Sequence, residues 1–253
     1  MNIFTKKNTV AYLFNALLAT TIVVALVWFS VWQLGVSFDF SFINDFSSRI
    51  LIGFGMTIGI SICSLLLSLA IGILAALMQK CKILVLKYLS TIYIQFIRGT
   101  PLIMQIYLFF YIIGTAWGVN NRFVSGVLIL SVFEGAYIAE IVRAGFEDLE
   151  QTQLEAAQAV GFTKWQTIFL VILPQMTART LPPLVGQFSS IIKDSSLLSI
   201  IAVIELTQTI REISSLNFRL FEAYLFLGIL YLILTLPLSL VGKALEKKFS
   251  YEH

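Results

Sequence analysis

Predominantly apolar stretches recur along the chain at lengths that suit membrane-crossing helices, and short charged segments separate them. A helix needs about 20 apolar residues to span the hydrocarbon core. Six stretches qualify, at 10–34, 50–78, 88–113, 123–142, 177–200 and 223–241. The first follows Lys6 and Lys7 as a signal peptide would, but no small-residue cleavage site closes it before Asp39, so a retained helix is expected. The fifth is interrupted by Pro182, Pro183, Lys193 and Asp194.

The basic residues give these spans a direction. With the N-terminus inside, the cytoplasmic ends hold Lys6, Lys7, Lys80, Lys82, Lys87, Arg143, Lys164, Arg179, Lys243, Lys247 and Lys248, and the opposite side holds Arg49, Arg122, Arg211 and Arg219. The bias of Lys and Arg toward one side predicts six spans with both termini in the cytoplasm. The expected organisation is residues 1–48 as tail, first helix and external loop, then a core at 49–253 with a cytoplasmic loop at 145–174. That loop carries two capping patterns, Thr152 with Glu155 and Thr163 with Gln166. Gly161 between them suits a left-handed helix end. Trp165, Ile168, Phe169 and Ile172 form one apolar face, and Pro174 is expected to force an exit. Two short helices are predicted, either lying on the bilayer or docking a cytoplasmic partner.

Composition supports the membrane assignment and excludes much else. Hydrophobic residues make up 58% and charged residues 12%, with mean hydropathy +0.90; soluble domains average roughly 45–50% and 25%. A soluble enzyme, a disordered chain and a nucleic-acid binder are ruled out. The expected fold class is all-α, a polytopic membrane helix bundle. His253 is the only histidine and there are 2 cysteines, so histidine triads, metal clusters and disulfide frameworks are not expected. The sequence has no GxxxxGK phosphate loop.

Charged residues inside spans cost at least about 2.5–3.5 kcal/mol each and need a reason. Arg98 lies about 16 Å along a helix from Lys87, with Gly99, Thr100 and Pro101 following. A helix break there would free backbone groups for a solute site, or Arg98 pairs with a carboxylate to fix packing. Glu134, Tyr137 and Glu140 share one broad helix face; Glu134 is the candidate for a substrate cation, while Glu140 suits a structural pair, for instance with Arg98. Lys193 shares a stripe with Ser189 and Ser196, so it lines a pathway or, with Asp194, forms a buried clamp. Gly55 and Gly59 make a GxxxG pattern, a weak indication of close helix packing.

The loop also carries a resemblance. Glu155-Ala156-Ala157, then Gly161, then Val171-Ile172-Leu173-Pro174 resembles the EAA loop of bacterial ATP-binding-cassette importer permeases. Arg98-Gly99-Thr100-Pro101-Leu102, the 135–143 segment GAYIAEIVR, the 192–199 segment IKDSSLLS and Glu205-Leu206-Thr207 resemble its polar amino-acid branch. The similarity runs from about residue 50 to the C-terminus; Thr152-Gln153 stands where the family usually has Gly-Gln. It implies a type I importer permease-like fold and a non-catalytic chain that carries a polar amino acid. The implied partners are two cytoplasmic ATP-binding subunits, a second permease chain (the same or a homologous one) and an extracytoplasmic substrate-binding protein. This chain would bind no cofactor, and ATP and Mg would sit on the partner ATPase. Glu155, Ala156, Ala157, Gly161, Leu173 and Pro174 would form the ATPase-coupling site, and Arg98, Gly99, Thr100, Glu134, Tyr137, Glu140, Lys193, Asp194 and Ser196 the substrate path. Two other readings stand beside it. An ion-gradient transporter would use Glu134 and Glu140 as proton carriers, and a membrane-embedded enzyme would need a nucleophile–base pair that the sequence does not display.

Overall fold

The computed structural model describes residues 9–35, 38–147 and 151–250. Lys6, Lys7, His253 and residues 148–150 of the expected loop lie outside them. The chain divides into two compact units, Met1–Phe40 and Ser41–His253. The first contains α1 (Thr9–Leu34), a 26-residue helix without a charge, apolar on every side as a lipid-embedded helix should be. The second unit begins eight residues before the expected start of the core. Its opening helix α2 (Phe42–Asp45) is fixed by Phe42, which is buried against Phe226 with rings 6.0 Å apart.

The spine of the second unit is the pair α3 (Ser47–Lys80) and α6 (Arg122–Glu147). Lipid offers no hydrophobic drive for two helices to associate, so close backbone packing and interhelical hydrogen bonds must hold them. The sequence meets this with small residues: Thr57, Ser61, Ser64, Ser68, Gly72 and Ala76 of α3 are all buried. A Cβ on Gly72 would stand 2.6 Å from Ile138 and 2.9 Å from the Gly135 carbonyl, so only glycine allows this approach. By contrast, an added Cβ at Gly55 or Gly59 meets nothing within 4 Å. That GxxxG pattern is therefore not a packing seam of this chain.

The third stretch is not one straight span. α4 (Leu84–Gly99) and α5 (Leu102–Tyr107), which continues as a π-helical segment Leu108–Gly114, meet at an angle of 114°. Pro101 removes a backbone donor and pushes Thr100 into an extended conformation (φ −127°, ψ 149°), which ends α4. The carbonyls so released are recovered locally. Gln105, fully buried, donates its side-chain amide to the Ile97 carbonyl (2.8 Å) and to Thr100 Oγ1 (2.7 Å), while the Thr100 hydroxyl donates to the Phe96 carbonyl (2.8 Å). Gln105→Leu leaves those acceptors dry and should destabilise the chain by about 1–3 kcal/mol. The expected result is a lower melting temperature in detergent; an unchanged one would mean that the bend needs no such support.

The loop and fifth span also differ from expectation. α7 (Gln151–Ala159) already includes Thr152, so that threonine stands inside the helix and is not its cap. The second short helix is no separate element. α8 (Lys164–Thr167) passes through a π-helical turn, Ile168–Ile172, into α9 (Leu173–Asp194) and a 3₁₀ extension, Ser195–Ile201, a single span of 38 residues. Pro174 forces no exit because it follows directly on the π-helical turn Ile168–Ile172, a local adjustment of the kind that accommodates proline within a span. Trp165, Ile168 and Phe169 accordingly remain exposed as part of a span.

α10 (Leu206–Asn217) and α11 (Leu220–Ser250) complete the chain. Glu205 caps α10 by accepting from the amides of Thr207 and Gln208, both at 2.8 Å, and from the Tyr231 hydroxyl at 3.0 Å. The Leu206 amide is met by Thr57 Oγ1 at 3.0 Å, which ties α10 to α3. Among the described residues, five helices are long and apolar enough to cross a bilayer, or six if the bent pair counts as one span.

Candidate functional site

The polar residues that the sequence places inside the spans form two groups, with Lys193, Ser189 and Ser196 outside both. Glu134 of α6 has no exposed surface. Gln187 of α9 donates its side-chain amide to Glu134 Oε2. The other oxygen, Glu134 Oε1, has no partner among the described residues. A buried carboxylate oxygen without a donor is costly, and groups left so in a native fold call for an explanation such as a ligand. Gln187 was not among the expected site residues. It stands two helical turns before Asp194, on the same face, and that spacing is the signal that would reveal it.

Arg98 belongs to the second group. It pairs with Glu140 at 3.4 Å and stacks over the Tyr137 ring at 5.6 Å. Glu140 also accepts from Arg143, which in turn reaches Glu147. Arg98, Glu140, Arg143 and Glu147 are each at least a quarter exposed in the isolated chain, so the cluster is a chain of partly exposed pairs that links α4 to α6. Arg98, Gly99 and Thr100 are therefore not brought to Glu134. Lys193 joins neither group. It is exposed, and no ion pair involves it among the described residues, so the buried clamp is not formed within this chain. Ser189 on the same stripe is buried, and Ser196 is partly exposed.

In the 145–174 segment, Gly161 has φ +78°, and α7 ends in a Schellman arrangement. The Phe162 amide donates to the Ala157 carbonyl and the Gly161 amide to the Gln158 carbonyl, both at 3.0 Å. Thr163 and Gln166 form the expected reciprocal cap of α8. Glu155 and Ala156 are exposed, whereas Ala157 is buried (4% exposed) within the chain. The side chain of Gln175 on α9 donates to Gln153 Oε1, so α7 is tethered directly to the fifth span. Leu173 and Pro174 are exposed.

A bundle of membrane-crossing helices with buried polar groups between spans, and an ordered helical segment between two of them, defines a multi-pass transport component. The chain belongs to the family described as binding-protein-dependent transport system inner membrane component, whose model matches residues 68–251. It is 34% identical over 208 residues to the probable glutamine ABC transporter permease protein GlnM of Bacillus subtilis (strain 168), covering 82% of this chain and 96% of that one. It is 35% identical over 215 residues to the glutamine transport system permease protein GlnP of Escherichia coli (strain K12), covering 84% and 98%. It also superposes on a chain from the crystal structure of an amino acid ABC transporter with histidines, with TM-score 0.77 and 31% identity, covering 84% of this chain and all of that one. The chain is thus an ABC importer permease subunit and not the hydrolysing subunit; the ion-gradient and membrane-enzyme readings fall with that assignment.

Proposed function

We propose that this permease carries a polar amino acid into a bacterial cell and that Glu134 receives the substrate's ammonium group. The observation that supports this reading most is the fully buried Glu134, one oxygen held by Gln187 and the other without a donor. An ammonium supplies both the missing hydrogen bonds and the missing charge. Lys193, exposed and one residue from Asp194, would meet the carboxylate end on a path shared with a second permease chain, whether the same or homologous. Ser196 would lie along that path, whereas Arg98, Gly99, Thr100, Tyr137 and Glu140 would support the α4–α6 contact.

Transport against a gradient needs an energy source, which two cytoplasmic ATP-binding subunits carrying ATP and Mg would supply. They would engage α7 through Glu155 and Ala156, with Gly161 setting its end and Leu173 and Pro174 transmitting the movement to α9. An extracytoplasmic binding protein would deliver the amino acid. The test of the pairing is co-purification from mild detergent: an ATPase subunit should come with the wild-type chain, and its absence would remove the coupling assignment.

In this reading the chain lies in the inner membrane with both termini in the cytoplasm, because the basic residues cluster at those ends. Single cysteines at Thr163 and Lys248 should then react with an impermeant thiol reagent only from the cytoplasm, and one at Asp45 only from outside. Labelling of positions 163 and 45 from the same side would contradict the orientation.

A further inference from the structure

α10, between the last two spans, combines close seating with strain that its surroundings do not relieve. Leu206, Ile210 and Ile213 stand at i, i+4, i+7 and form the apolar stripe that seats it. Gln208, Thr209 and Ser214 are buried along with them. The contact with α3 is tight: a Cβ on Gly53 would stand 2.5 Å from Thr209 Oγ1 and 3.0 Å from Thr209 Cβ. Yet Gln208 Oε1, Thr209 Oγ1 and Asn217 Nδ2 are buried without a hydrogen-bond partner, and no other helix among the described residues carries more than one such atom. Each has given up water and received nothing in exchange. The backbone is strained on both sides as well. Ala202 (φ 54°), just before α10, and Phe218 (φ 58°), directly after it, are the only non-glycine residues with positive φ among those described. The Phe218 side chain is 92% exposed, so no packing within the chain offsets its backbone.

Strain of this kind persists only where surrounding contacts over-determine it, and it collects in elements that switch. The contacts that hold α10 down are polar. Thr57 meets the Leu206 amide, Tyr231 meets Glu205, and Arg49 meets Glu212. Hydrogen bonds and ion pairs are short-ranged, so a small displacement breaks all three, and the same displacement wets the partnerless atoms and frees both strained residues. We infer that α10 is a strained cover over the outer end of the substrate path, seated at rest and lifting about Ala202 and Phe218 when the amino acid is admitted. The 3₁₀ extension Ser195–Ile201 joins it to α9, so a movement of α9 reaches the cover directly. The inference rests on the proposed import path and deepens it by naming what closes the extracytoplasmic end.

Thr209→Cys, in a chain with Cys63→Ser and Cys81→Ser, places a thiol out of reach while α10 is seated, since Thr209 is 1% exposed. The whole complex is held in nanodiscs with binding protein and L-glutamine. A water-soluble thiol reagent should label position 209 when ATP and Mg are present and leave it unlabelled without ATP; equal labelling in the two conditions overturns the cover. Adding Gly53→Cys brings two Cβ atoms to 3.0 Å, close to the roughly 3.5–4.5 Å of a disulfide, so oxidation should lock α10 down. Uptake into proteoliposomes should then be lost and should return on reduction. An oxidised pair that transports like its reduced form overturns the inference. Thr209→Val removes the partnerless hydroxyl and keeps the shape, so the melting temperature should rise while uptake slows severalfold. A higher melting temperature with unchanged uptake would make α10 a fixed joint. Failure of the cargo reading would show separately, as wild-type proteoliposomes that take up no amino acid while labelling of position 209 still follows ATP.

Discussion

Glu134→Gln should assemble with its partners at near wild-type yield and melt at nearly the same temperature, yet require about ten to a hundred times more substrate for half-maximal uptake. The amide still accepts the hydrogen bond that Gln187 donates to this position, so the α6–α9 contact survives. What disappears is a negative charge facing a cation in a dry site, and a hydrogen bond to a charged group is worth about 1.5–3 kcal/mol. Glu134→Leu removes the Gln187 contact as well and should lower both stability and uptake. Arg98→Gln provides the contrast: it breaks the pair with Glu140, which links α4 to α6 and does not touch Glu134. Its half-saturation should not move. A Glu134→Gln complex that melts early with unchanged selectivity would place the carboxylate in the scaffold.

The second large effect concerns two neighbouring alanines. Ala157 is buried and its carbonyl takes part in the end of α7, whereas Ala156 is exposed. Ala157→Asp places a carboxylate where no donor waits, at a cost of several kcal/mol. The α7 segment should come away from α9, become open to protease, and lose the ATPase subunits. Ala156→Asp should leave α7 folded and protease-resistant but still weaken ATPase binding, because the charge is placed on the surface proposed to meet it. Limited proteolysis and co-purification together distinguish the cases. If Ala156→Asp binds the ATPase normally, α7 does not dock by that face.

Much of this architecture is legible in the sequence because membrane spans are written in long apolar runs, and α3, α6 and α11 lie where those runs place them. The break at Gly99-Thr100-Pro101 is also legible, since proline dictates it locally. Its 114° angle is not, because it depends on Gln105 turning back to carbonyls that the chain has already passed. The continuity of α8 and α9 is hidden for a related reason. Proline normally signals a stop, and here a π-helical turn directly before Pro174 lets the helix continue through it. At the site, Glu134 announces itself as a charge in lipid. Gln187 does not, since a lone glutamine on a proline-interrupted span carries no pattern until its register with Asp194 is considered. The small side chains of Ala156 and Ala157 suit either an inner or an outer face equally well, so only the packing separates them.

This chain should move an amino acid only because a partner hydrolyses ATP. The direct measurement is uptake of labelled L-glutamine into proteoliposomes that hold the whole complex, with ATP and Mg inside and the binding protein outside. Accumulation should require ATP, persist when an ionophore collapses the proton and sodium gradients, and show the raised half-saturation in Glu134→Gln. Accumulation that follows the ion gradient, or proceeds at full rate without ATP, would contradict ATP-driven import.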